Sequence, residues 1–177
     1  MGNKDTRDPK EAVNTNDCDD SIDGSEKEWL LNGAFQHSVD PKGRVIIPQT
    51  FRDQLGDSII VSVNTAQNSI AVYPEQVWTH KANELKRMAE KKRTLEPVVA
   101  RFSRLSYRNC TFDQQGRVLI PALLRELFIK DATSVRVSGA FDHVLIVSEE
   151  QAKKEDERFA SGEIDILALI DESNEEA

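Results

Sequence analysis

The chain has 177 residues, enough for one ordinary domain or two very small ones, and 38% of them are hydrophobic. It carries 31 acidic and 23 basic residues, a formal net charge of −8, and by itself this charge argues against a polyanionic partner. No apolar run approaches the roughly 18 residues of a membrane span, and the separated Cys18 and Cys110 argue against a disulfide framework or a zinc site.

The charge is divided between acidic ends and a basic body. Residues 1–28 hold nine acidic and four basic side chains, residues 148–177 hold eleven and three, and residues 29–147 have a net charge of +5. The composition predicts a disordered acidic extension over residues 1–29 and a flexible acidic tail over residues 149–177. The apolar cluster at residues 164–170 has three interpretations: a last helix docked on the body, a partner-binding peptide, or an incidental cluster without a role.

Residues 30–75 carry the pattern of a small module with the order strand, strand, short helix, strand, strand. Pro48 ends the second strand and opens the short helix, in which its missing N–H costs nothing. About forty residues bury too little apolar surface for a stable core, so we expect the module to pack against another. The predicted strands cover residues 35–39, 44–47, 59–63 and 69–73, and Phe51 and Leu55 are the predicted core residues of the helix.

A tight turn, D-P-K-G at residues 40–43, joins the first two predicted strands. Asp40 can accept local N–H bonds, Pro41 presets φ, and Gly43 suits the left-handed backbone conformation that closes such a turn. The strand that follows is apolar on both faces after Arg44, so we expect it to be buried.

Residues 76–107 are predicted to be a helical spacer. Val77, Trp78, Leu85 and Met88 have helical spacing among several lysines and arginines, and Pro97 opens a second helical stretch. A basic face on an amphipathic helix is usually solvated surface. A phosphate contact and a subunit contact are the alternatives.

Residues 108–148 repeat the first module with an offset of 73 residues. D-P-K-G-R-V-I-I-P at residues 40–48 becomes D-Q-Q-G-R-V-L-I-P at residues 113–121, and six of the nine positions are identical. In this copy we expect Leu124 and Leu127 to face the core. The repeat predicts an α+β protein of two tandem β-β-α-β-β modules, related by a pseudo-twofold axis and joined by the helical spacer.

The two D-x-x-G-R-[VIL]-x-I-P motifs, the F-Q-H sequence at residues 35–37 and the spacer resemble the MraZ family of bacterial transcriptional regulators over about residues 30–147. The resemblance implies AbrB-like swapped-hairpin modules. It also implies a ring-shaped homo-oligomer that binds direct repeats in the promoter of a division and cell-wall gene cluster, usually as a repressor. We therefore expect a cytoplasmic, nucleoid-associated protein whose partners are double-stranded promoter DNA and further copies of itself. The family's D-x-x-x-R signature corresponds here to Asp40 with Arg44 and Asp113 with Arg117, and the acidic ends depart from the family pattern.

The candidate DNA contacts are the cations in and after the two turns. A long cation at the start of a strand can project from the module edge and reach a phosphate or a guanine edge. The alternative for Arg44 and Arg117 is a salt bridge that pins the turn to Asp40 or Asp113. Lys42 stands where the second turn has Gln115, so the first module is favoured if only one of the two modules contacts DNA. The candidate DNA-binding residues are Lys42, Arg44, Arg52, Arg117 and Arg125, and the structural residues of the motif are Asp40, Gly43, Pro48, Asp113, Gly116 and Pro121. For Arg52 and Arg125, on the short helices, a solvated surface position is an equal alternative.

Other function classes are less compatible with the sequence. Each motif aspartate has an arginine four residues later that would keep its carboxylate ionised, so a catalytic dyad is not expected. The sequence lacks a Walker loop, a nucleophile elbow and a metal-binding motif, so we expect no enzyme, cofactor, metal or small-molecule ligand. Two alternatives remain: a ring-forming interaction scaffold without DNA binding, and an AbrB-type antitoxin, which is disfavoured because antitoxins of this type usually carry one module.

Overall fold

The computed structural model describes residues 29–162, so the acidic segment before Trp29 and the apolar cluster at residues 164–170 lie outside the described residues. The described chain is mixed α+β. In chain order its elements are β1 (Ala34–Ser38), β2 (Arg44–Ile46), α1 (Gln49–Leu55), β3 (Ile59–Val63), β4 (Ile70–Pro74), α2 (Glu75–Lys91), a 3₁₀ turn (Arg93–Leu95), α3 (Glu96–Arg104), β5 (Tyr107–Cys110), β6 (Arg117–Leu119), α4 (Ala122–Phe128), β7 (Ser134–Gly139), β8 (Val144–Ser148) and α5 (Glu149–Ala160).

The two repeats exchange strands. Six strands form one antiparallel sheet in the order β1-β7-β8-β4-β3-β5, and β2 pairs with β6 in a separate two-stranded ribbon. Among residues 29–162, the first strand of each repeat pairs only with the third strand of the other, β1 with β7 and β5 with β3. The repeats also meet in the middle of the sheet, where β4 pairs with β8. Neither repeat therefore builds a complete sheet from its own strands.

The central strands β3 and β4 are buried along their whole length because both faces of the sheet are covered. Successive strand residues point to opposite faces. Ile70 and Val72 belong to the main core together with Phe51 of α1, whereas Ala71 and Tyr73 pack with Val77 of α2 on the other face. The ribbon contributes its buried Val45 and Val118 to the main core, so the ribbon and the short helices cover one side of the sheet.

The prediction that residues 44–47 are buried on both faces is wrong. Val45 and Ile47 are fully buried, but Ile46 is 39% exposed and its counterpart Leu119 is 55% exposed. The ribbon lies on the outside of the core, so only one of its faces meets the sheet. Hydrophobicity on both faces indicated burial, but in this position one face remains open to solvent.

The predicted core position of Leu127 is also wrong. Leu124 is fully buried, while Leu127 is 49% exposed, and Ile129 just after the helix is buried instead. Pro48 and Pro121 immediately precede α1 and α4 instead of lying within them. The first strand of the second repeat ends at Cys110, whereas the sequence placed it at residues 110–112.

Part of the predicted flexible tail is a helix. Ser148 caps α5 by accepting a hydrogen bond from the Gln151 backbone N–H at 3.2 Å. Arg136 of β7 pairs with Glu149, at 2.9 Å, and with Asp156, so acidic residues of the helix are matched by a cation of the sheet. Among the described residues, no helix combines the length and the apolar character that crossing a membrane requires.

Candidate nucleic-acid interface

The two motif turns have the same geometry. In the first turn, residues 40–43, the Gly43 N–H donates to the Asp40 carbonyl at 2.8 Å, and Asp40 Oδ1 accepts the backbone N–H groups of Lys42 and Arg44, each at 2.9 Å. In the second turn, residues 113–116, Asp113 makes the equivalent bonds. Gly43 and Gly116 have φ of 79° and 74°, which confirms the predicted left-handed position.

The carboxylates and arginines of both turns form one charge cluster, the Asp–Arg cluster (Asp40, Arg44, Asp113 and Arg117). Within each repeat, Arg44 Nε lies 2.7 Å from Asp40 Oδ2, and Arg117 Nε lies 2.8 Å from Asp113 Oδ2. Between the repeats, Arg44 Nη1 lies 3.4 Å from Asp113 Oδ2, and Arg117 Nη1 lies 3.6 Å from Asp40 Oδ2. The two contacts between the repeats therefore join the turns across the ribbon. The two guanidinium groups balance the charge of the two carboxylates.

The arginines keep both aspartates ionised. The hydrogen bond from the Arg117 side chain, followed by the one from its backbone N–H, lowers the pKa of Asp113 to about 2. For Asp40, the largest cause of the lowered pKa is the backbone N–H of Arg44, against a smaller opposing effect of desolvation. At neutral pH the cluster consequently contains two carboxylates and two guanidinium groups and has no net charge.

The titration of Asp113 provides a test of this geometry. Its pKa is lower in the folded chain than the ordinary value of about 3.9. The ionised carboxylate therefore favours folding above that ordinary value, and this contribution is lost as the pH falls toward about 2. We expect carbon-13 NMR of the side-chain carboxyl to show a midpoint near 2 in the wild type and a clearly higher one in Arg117→Ala. An unchanged midpoint in Arg117→Ala, with the exposed Arg101→Ala as the control, would contradict the assigned ion pair.

Lys42 has a different environment from the arginines. Its side chain is exposed, and among the described residues no carboxylate lies within ion-pair distance of its Nζ. The equivalent residue of the second turn, Gln115, is also exposed but uncharged. The first turn thus carries a positive charge that the described structure does not neutralise, and the second turn does not.

The guanidinium groups of Arg52 and Arg125 each lie beside the turn of the opposite repeat. Arg52 Nε donates to the Ile47 carbonyl at 3.0 Å, and Arg125 Nε donates to the Ile120 carbonyl at 3.1 Å. A Cβ atom placed on Gly116 would lie 2.5 Å from Arg52 Cζ, and one on Gly43 would lie 2.5 Å from Arg125 Cζ. Each guanidinium therefore packs against the turn glycine of the other repeat.

The exposed face of the ribbon combines charge with apolar surface. Arg44 lies opposite Leu119, and Ile46 lies opposite Arg117, so all four side chains share one face. Ile46 and Leu119 were not among the residues predicted for this surface, although successive side chains of a strand point to opposite faces and each lies two residues after an arginine. In the spacer, Lys81 Nζ lies 2.9 Å from Asp142 Oδ2 and Arg93 Nε lies 3.4 Å from Glu96 Oε1. Just after the spacer, Arg108 of β5 pairs with Glu75.

Comparison with known proteins decides the family. A family model described as MraZ protein, putative antitoxin-like, matches residues 30–97. Transcriptional regulator MraZ of Desulforamulus reducens is 36% identical over 145 residues, an alignment that covers 78% of this chain and all of the relative. The chain belongs to the MraZ family. The resemblance found in the motifs is thereby confirmed.

Further MraZ relatives agree with this assignment. Transcriptional regulator MraZ of Heliobacterium modesticaldum is 34% identical over 137 residues, covering 74% of this chain and 90% of the relative. The protein of the same name from Pediococcus pentosaceus is 41% identical over 96 residues, covering 54% of this chain and 66% of the relative. These MraZ proteins are named as transcriptional regulators, so this chain is a member of a family of transcriptional regulators.

Proposed function

We propose that this MraZ chain binds DNA in a sequence-specific way through the exposed face of the β2–β6 ribbon and the two turns beside it. The observation that carries the proposal is the Asp–Arg cluster, which holds the two turns side by side. Arg44 and Arg117 consequently share one face of the ribbon, and Lys42 lies in the adjoining first turn. Cations from both repeats thus form a single surface.

The ion pairs within the cluster leave the arginines able to bind a second partner. The side chains of Arg44 and Arg117 are 27% and 23% exposed. A guanidinium has five N–H donors, and the bonds to Asp40 and Asp113 use only part of them. The carboxylates therefore hold each guanidinium in one orientation, from which its remaining N–H groups can reach a phosphate or a base edge. We assign Lys42, Arg44 and Arg117 as DNA contacts, with the aspartates as orienting groups.

The family resemblance supports the finer features of this proposal. We infer that residues 30–75 and 108–148 are AbrB-like swapped-hairpin modules, since the first strand of each repeat pairs with the third strand of the other. We further infer a nucleoid-associated repressor that acts, as a ring-shaped homo-oligomer, on direct repeats in the promoter of its own division and cell-wall gene cluster.

A binding assay with the DNA just upstream of the chain's own gene tests the function. We expect the full chain to shift this fragment at lower protein concentration than a scrambled fragment of equal length and composition. The affinity should fall as salt rises, because each neutralised phosphate releases counterions. Equal affinity for both fragments at every salt concentration would contradict sequence-specific binding.

An interaction scaffold without DNA binding is the second candidate. It is favoured by the net charge of −8 and by the carboxylates that neutralise both ribbon arginines. The two candidates differ in the binding assay: a scaffold would assemble normally and discriminate between neither fragment.

Self-assembly should depend on an apolar patch on α4. Leu123 and Leu127 are 44% and 49% exposed and lie four residues apart, on one face of the helix. At the equivalent positions of α1 the first repeat has Thr50 and Gln54, so the leucines are not required by the repeated core. Exposed apolar surface of this kind is typical of protein interfaces.

We expect Leu123→Lys to reduce the mass of the particle in light scattering, because a charge would be buried between subunits. Leu127→Lys should behave in the same way. Thr50→Lys is the matched control, since it places the same charge at the equivalent position of α1, and it should leave the mass unchanged. A monomeric wild type, or a Leu123→Lys variant of unaltered mass, would refute this interface.

A further inference from the structure

We propose that Arg52 and Arg125 are positioning residues that act across the repeats, so that each repeat sets the orientation of the other repeat's DNA-facing turn. The proposal rests on the proposed function where DNA is concerned, and it gives these two arginines a role other than direct contact. It predicts that Lys42, in the first repeat, depends on Arg125, in the second.

The first turn is held by two groups of the second repeat. The Ile120 backbone N–H donates to the Gly43 carbonyl at 3.0 Å, and the Arg125 guanidinium packs against Gly43. Arg125 is itself fixed, because its Nε donates to the Ile120 carbonyl at 3.1 Å. Backbone and side chain of the second repeat thus support the first turn at the residue that closes it.

The second turn is held by the first repeat in the same way. The Ile47 N–H donates to the Gly116 carbonyl at 3.0 Å, and Arg52, whose Nε donates to the Ile47 carbonyl at 3.0 Å, packs against Gly116. The same arrangement occurs twice in one chain, at positions separated by the repeat offset. Chance packing of two surface arginines would not produce this reciprocity.

The contact between the guanidinium and the turn depends on an arginine on one side and a glycine on the other. A guanidinium is flat and rigid, so it can lie against a backbone, whereas the ammonium group of lysine cannot replace a planar group. A Cβ on the turn glycine would lie about 2.5 Å from the guanidinium and would displace it, so this contact forms as observed because the turn residue has no side chain. The left-handed φ of the turn independently favours glycine at the same position.

The two turns are not equivalent for DNA, and this makes the proposal testable. The first turn carries Lys42, and the second carries the uncharged Gln115 at the same place. If each arginine acts on the opposite turn, Arg125→Ala should weaken DNA binding more than Arg52→Ala. If the two arginines instead contacted phosphates directly, Arg125→Ala would not be expected to weaken DNA binding more than Arg52→Ala.

The test is a double-mutant cycle in the full chain with the upstream DNA fragment. We expect Arg125→Ala to weaken binding by about tenfold in the wild type but by less than about twofold in Lys42→Ala, because the two changes disable the same turn. Arg52→Ala combined with Lys42→Ala should be additive and is the matched control. Additive effects of Arg125→Ala and Lys42→Ala would overturn the proposal and indicate direct contact.

A measurement without DNA separates this proposal from the proposed function. In amide NMR spectra, Arg125→Lys should shift the signals of residues 40–44 more than those of residues 113–117, and Arg52→Lys should show the reverse pattern. Lysine keeps the positive charge, so the test remains usable where an alanine variant fails to fold. Shifts confined to each variant's own repeat would overturn the proposal. If the two lysine variants show the crossed pattern of shifts but the wild type does not bind DNA, the proposed function alone is refuted.

Discussion

Replacing both Arg44 and Arg117 with alanine is expected to remove specific DNA binding. An arginine that reads a base edge contributes about 1–3 kcal/mol, roughly 5- to 150-fold in affinity for each residue replaced. The loss should be larger than this sum suggests, because Asp40 and Asp113 would face the phosphates without their counter-charges. In an oligomer the change is repeated in every subunit that touches the DNA.

The test compares the affinity of the double variant and of the wild type for the upstream fragment over a range of salt concentrations. A contact with a phosphate would also lower the slope of log affinity against log salt by about one unit per residue. Arg158→Ala, on the acidic helix α5, controls for the loss of a surface arginine and should bind as the wild type does. A double variant that stays folded and assembled and keeps full affinity would remove the ribbon from the proposed DNA surface.

Replacing Phe51 with alanine is expected to destabilise both repeats together, by about 3–5 kcal/mol. The Phe51 side chain is 1% exposed and packs edge-to-face on Phe35 with 5.6 Å between ring centroids. Phe35 belongs to β1, which pairs with β7 of the second repeat. The cavity left by the Phe51 ring therefore weakens the packing of β1, and β1 is paired with a strand of the other repeat.

Chemical unfolding should show one transition for the whole body, moved to lower denaturant concentration in Phe51→Ala. Phe141→Ala is the matched control, because Phe141 is 73% exposed and its truncation should change the free energy of unfolding by no more than about 0.5 kcal/mol. Two separate transitions, of which Phe51→Ala moves only one, would show that the repeats fold independently despite the exchanged strands.

The sequence by itself determined the parts of this protein that depend on local chemistry. The D-x-x-G pattern predicts a turn because an aspartate can accept nearby N–H groups and a glycine tolerates positive φ, and both turns have this geometry. The strands near residues 59–63 and 69–73 follow from short apolar runs bounded by turn residues. The duplication and the family follow from the identity of residues, which needs no knowledge of contacts.

Only the tertiary structure decided which groups meet. Two similar repeats present similar strands, so no local pattern shows that β1 pairs with β7 instead of a strand of its own repeat. For the same reason the sequence could not show that Arg52 packs against Gly116, 64 residues further along the chain. Apolar residues in a sequence indicate which side chains can be buried, but the fold decides which of them are covered. Ile46 and Leu127 stay exposed because the ribbon and α4 lie on the outside of the core.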